Sequence, residues 1–98
     1  MNTEDFITIC KEEIKKFYNE DLLDKSDDIS MEIDNIFTVW NCKTLQNNKA
    51  LLSTTFFDGM YFEMTYNGDK QELYMDAYKK WKNKKIELKP GREMEGDL

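Results

Sequence analysis

The sequence predicts a small α+β fold in the order α-β-β-β-α: an N-terminal helix, a three-stranded antiparallel meander and a C-terminal helix. Three observations predict it. Apolar residues recur at helical spacing over residues 6 to 18, they alternate at every second position through the middle of the chain, and helical spacing returns after Gly68. A chain of 98 residues suffices for one hydrophobic core and not for two. A single domain is therefore expected over residues 1 to 89, with 90 to 98 as a flexible charged tail.

In the first segment Phe6, Ile7, Cys10, Ile14, Phe17 and Tyr18 fall within one third of a helical wheel, and Lys11, Glu12, Lys15 and Lys16 lie elsewhere. Asn2 or Thr3 suits the N-cap, and Glu4 and Asp5 complement the positive end of the helix dipole. Residues 19 to 28 are acidic and rich in turn formers, so they read as the connection out of the helix. Asp24, Ser26 and Asp28 alternate as calcium-loop ligands do. However, Ile29 stands where such a loop needs glycine, and Asn35 where it needs a bidentate glutamate. No metal site is predicted.

From Ile29 the period becomes two, and residues 36 to 45 are rich in β-branched and aromatic side chains. Asn47-Asn48 and Asp58-Gly59 lie between strand-like runs and are expected to form two-residue hairpin turns, placing the meander at about residues 36 to 66. In that register one face holds Ile36, Trp40, Cys42, Leu51, Phe57, Met60, Phe62, Met64 and Tyr66, and is the expected core. The other holds Phe37, Val39, Leu45, Leu52, Phe56 and Tyr61 among Asn41, Lys43, Thr54 and Glu63. Asp69 with Glu72 resembles a capping box, and Leu73, Tyr74, Ala77, Tyr78 and Trp81 form an apolar stripe on the predicted second helix.

Composition excludes much chemistry. The sequence has no histidine, the commonest general base and metal ligand, and its glycines form no phosphate-cradling cluster. The chain is not expected to be an enzyme or to carry a cofactor. Cys10 and Cys42 stand far apart without a CxxC motif, and read as reduced, buried thiols. The net charge of −6 is uneven. Residues 1 to 42 hold eleven acids against four lysines, whereas residues 79 to 98 hold seven basic and four acidic groups. Acidic surface repels phosphate backbones, so nucleic-acid binding is not expected, although the lysines around Trp81 make a local exception conceivable. No apolar run has the length of a membrane span, and no membrane association is expected.

The apolar residues gathered on the second sheet face need cover. They suggest a partner or homodimer surface with Phe37, Val39, Phe56 and Tyr61 at its centre and Asn41 and Lys43 beside them. Lys43, Asn47, Asn48 and Lys49, with tyrosines for stacking, suggest an alternative: contacts to a small signalling nucleotide.

The segment from Val39 to Asn83 also resembles a family of small uncharacterised proteins of phages and prophages of Gram-positive bacteria. The resemblance is carried by CKTLQNNKALLSTT at 42 to 55, DGMY at 58 to 61, TYNGDK at 65 to 70 and DAYKKW at 76 to 81. It implies a phage-encoded protein made in the host cytoplasm, and brings no catalytic residues with it. A binding protein that inhibits or modulates a host or anti-phage defence factor is the function expected from this setting, ahead of a nucleotide sponge or a replication accessory subunit.

Overall fold

The computed structural model describes residues 1–24 and 28–90. An N-terminal helix, α1 (Thr3–Phe17), is followed by a π-helical turn (Tyr18–Leu22), a short 3-10 turn (Ile33–Asn35) and four strands: β1 (Ile36–Thr44), β2 (Asn47–Thr54), β3 (Met60–Asn67) and β4 (Glu72–Lys79). The strands form one antiparallel sheet in the order β1-β2-β3-β4. The expected α-β-β-β-α order is thereby overturned, because the second helix is instead a fourth strand.

α1 forms as its periodicity dictates. Asn2 caps it by accepting the Asp5 N–H at 2.7 Å, and Phe6, Cys10 and Ile14 are buried against the sheet. At its end the Asn19 side chain clamps the Met31 backbone, accepting the Met31 N–H at 2.8 Å and donating to the Met31 carbonyl at 3.1 Å. This bond pair carries Met31 into the core, alongside Tyr18, Ile36, Ala50, Leu52, Phe62 and Met64. The alternation that begins at Ile29 produces no strand until Ile36. Ser26 of the considered calcium motif lies outside the described residues, as does the expected tail beyond Pro90.

β4 exists because β3 would otherwise present an unpaired edge. Pairing from Met60↔Lys79 to Asn67↔Glu72 satisfies that edge, and Leu73 and Met75 turn toward the helix layer. The Asp69–Glu72 box never forms. Asn67 Oδ1 instead accepts the N–H groups of Asp69 and Lys70 at 3.1 and 3.2 Å, closing a turn where a helix was expected to start. Trp81, expected in the core of that helix, is 95% exposed.

The hairpins also differ from expectation. The β1–β2 loop is Leu45 and Gln46 rather than Asn47-Asn48, and five residues, 55 to 59, join β2 to β3. Gly68 closes over the first loop so tightly that a Cβ there would sit 2.2 Å from the Gln46 carbonyl oxygen. The longer connection shifts the β2–β3 register by an odd number of residues, so Leu52 pairs with Phe62 on the core side and Leu51 turns outward. A bulge between Thr38 and Trp40 does the same to β1. Ile36 stays in the core, but Trp40 and Cys42, both predicted there, face away from the helix. Phe57, also predicted in the core, is fully exposed in the connection.

Candidate protein-binding face

α1 covers one side of the sheet, and no described element covers the other. Strand pairing orders this open face into rows that cross all four strands. Phe37, Ser53, Tyr61 and Tyr78 make the first row, Trp40, Leu51, Glu63 and Asp76 the second, and Cys42, Lys49, Thr65 and Tyr74 the third. Phe37, Trp40, Tyr74 and Tyr78 are each 41 to 53% exposed, large aromatic groups that an ordinary globular fold would cover.

Polar groups punctuate the rings. Lys49 reaches Glu63 at 3.3 Å across β2 and β3. Glu63 is also the direct cross-strand neighbour of Asp76, and two carboxylates so placed repel one another. The Tyr74 hydroxyl donates to Glu72, and that carboxylate raises the Tyr74 phenol above its ordinary range. Aromatic rings with a few charges at intervals have the composition of an interface core and its rim.

Three of the residues singled out from the sequence, Phe37, Lys49 and Tyr61, lie on this face. Val39 is exposed at the bulge. The remainder are dispersed. Asn41 and Lys43 pair with Ala50 and Asn48, which places them on the helix side of β1. Asn47 holds the neighbouring turn by accepting the Gly68 N–H at 3.1 Å, and Asn48 is buried. Phe56 tucks beneath the helix end, its ring edge-on to Tyr18 at 5.8 Å. Asn47, Asn48 and Lys49 line one open pocket of about 210 Å³ with Cys42, Thr44 and Thr65, and Lys43 does not join them. Trp40, Leu51, Tyr74 and Tyr78 were not anticipated on this face. The alternation of Leu73, Met75 and Ala77 against Tyr74, Asp76 and Tyr78 is the signal that could have placed the last two.

Elsewhere an open groove of about 460 Å³ runs beside α1, lined by Glu4, Ile7, Thr8, Lys11, Glu12 and Ile33. Among the described residues no group of three or more His, Cys, Asp or Glu side chains is placed to hold a metal ion, and no helix is long and apolar enough to cross a membrane.

No curated protein and no solved structure matches the chain. A family model does, over residues 7–88, and this stretch includes most of the helix, all four strands and the segment after β4. The chain belongs to that family, a family of unknown function designated DUF6275.

Proposed function

We propose that this is a non-catalytic binding protein that acts by laying its open sheet face on another protein. The observation that carries the reading is the one-sided packing of the sheet, which leaves Phe37, Trp40, Tyr74 and Tyr78 in solvent while the opposite face is buried under α1. Exposing such rings offsets part of the stability gained by folding, and contact with a partner recovers it. In the phage setting implied by the sequence resemblance, the partner is a host or anti-phage defence protein and the site of action is the host cytoplasm. Inhibition follows from occupying that protein's surface, and needs no chemistry from this chain.

The test is affinity capture from lysate of a Gram-positive host, followed by calorimetry with the purified partner. Wild-type protein is expected to retain a discrete host protein, and the Trp40→Asp/Tyr78→Asp variant to lose it while keeping its circular dichroism spectrum. Loss of binding in Glu13→Lys, on the exposed side of α1, with binding intact in the sheet variant would place the functional surface on the helix instead.

A further inference from the structure

We infer that the open sheet face also receives the C-terminal arm, residues 80 to 90, of a second copy of this chain, so that two copies exchange arms about a two-fold axis. This rests on the reading of that face as a protein-binding surface, and names an occupant for it.

The arm has the composition of a ligand, and among the described residues it is tied to the rest of its chain only by the Lys80 N–H to Gly59 bond, with Lys85 ion-paired to Glu87 at 3.2 Å within the arm itself. Lys80, Lys82, Lys84, Lys85 and Lys89 stand against the single acid Glu87, and every residue of the arm is exposed, including Trp81, Ile86 and Leu88. The family match runs to residue 88, so the arm belongs to the matched region. The face supplies the complement. Glu63 and Asp76 stand side by side, with Lys49 ion-paired to the former, and tyrosine rings occupy the rows on either side. A lysine seated between the two carboxylates relieves their repulsion, and lysines or Trp81 over the exposed rings add cation–π and stacking contacts.

The geometry favours a second copy over the arm's own sheet. The Lys80 N–H donates to the Gly59 carbonyl at 2.7 Å, which directs the chain off the end of β4 beyond the first row. To reach its own Glu63 and Asp76 it would have to reverse immediately. Extended at roughly 3.3 Å per residue, about ten residues span some 30 Å, against a sheet only about 14 Å across its four strand axes. Two-fold exchange makes the contact twice.

Cys42, exposed in the third row, serves as a reporter, because Cys10 is buried. A Cys42→Ser/Lys84→Cys chain is mixed with affinity-tagged wild-type chain and oxidised with copper phenanthroline. The expected product is a disulfide between one chain of each kind, suppressed in 1 M salt, where the screening length falls to about 3 Å. Light scattering is expected to show a wild-type dimer and a monomeric, folded Lys82→Glu/Lys84→Glu/Lys85→Glu variant. Arm exchange is overturned by a wild-type monomer at 100 µM, by a dimer that survives the charge reversal, or by a second Lys84→Cys chain, retaining Cys42, that closes only an internal disulfide. A monomer that still captures its host protein through Trp40 and Tyr78 ends the exchange and leaves the proposed function standing. An exchanged dimer whose host capture ignores those residues does the reverse.

Discussion

The Tyr18 hydroxyl donates to Asp58 Oδ2 at 2.7 Å, joining the end of α1 to the β2–β3 connection across 40 positions of sequence. Tyr18 is buried, its ring edge-on to Phe56 and Phe62. Asp58 is held in turn by the Met60 N–H, which donates to its other carboxylate oxygen at 3.2 Å. This bond holds the five-residue connection against the helix, and so supports the register on which the open face depends.

Tyr18→Phe removes a hydrogen bond to a charged acceptor, and is expected to lower stability by about 1 to 3 kcal/mol in urea denaturation. The same site makes stability sensitive to alkali. Burial and then the Asp58 carboxylate raise the Tyr18 phenol well above its ordinary 10.0, and burial pushes the Cys10 thiol from 9.0 up to about 12. Both groups keep their protons to higher pH in the folded than in the unfolded chain. Their contribution is therefore complete below pH 9.0 and is lost as pH rises through the folded values. Denaturation midpoints should be level up to that pH and fall above it, with Tyr18→Phe removing the part of the fall that sets in beyond pH 10.0.

Phe62 and Glu63 are chain neighbours on opposite faces, and test the register directly. Phe62 is fully buried, its ring 6.0 Å from Phe17 and 5.6 Å from Tyr18. Phe62→Ala should cost about 3 to 5 kcal/mol. Glu63→Ala, on the open face with a part-exposed partner in Lys49, should change stability by less than about 1 kcal/mol. A larger drop in melting temperature for Glu63→Ala than for Phe62→Ala would mean that the faces are interchanged.

Asn48 is buried on the core side of β2, and neither polar atom of its side chain has a hydrogen-bond partner among the described residues. Asn48→Leu keeps the branched shape and removes an unmet desolvation cost, so thermal unfolding should show a gain of about 1 kcal/mol. A loss of similar size would show that the amide has a polar partner in solution.

Leu45, at the first position of the β1–β2 loop, has a φ of +57° and is 85% exposed. A leucine held in the left-handed region is strained, and its exposed side chain packs against little that would compensate. Leu45→Gly should stabilise the protein by up to about 1 kcal/mol, as measured by the urea midpoint.

The N-terminal helix, the strand character of residues 36 to 66 and the inward direction of Phe62 and Met64 were determined by sequence alone. Each depends on periodicity within one element, and a period is a local property. Phe37, Tyr61 and Glu63 were legible as residues of the non-core face for the same reason. The tertiary structure decided the rest. Leu73, Tyr74, Ala77 and Tyr78 satisfy a helical stripe, while Leu73, Met75 and Ala77 satisfy a strand equally well. The unpaired edge of β3 selects the strand, and that edge is invisible from residues 69 to 85. Trp40 reached the open face, and Leu52 the core, through one bulge and one connection of odd length. Side chains alternate with period two, so a shift of a single residue reverses a whole strand's facing, and local composition carries almost no record of so small a change.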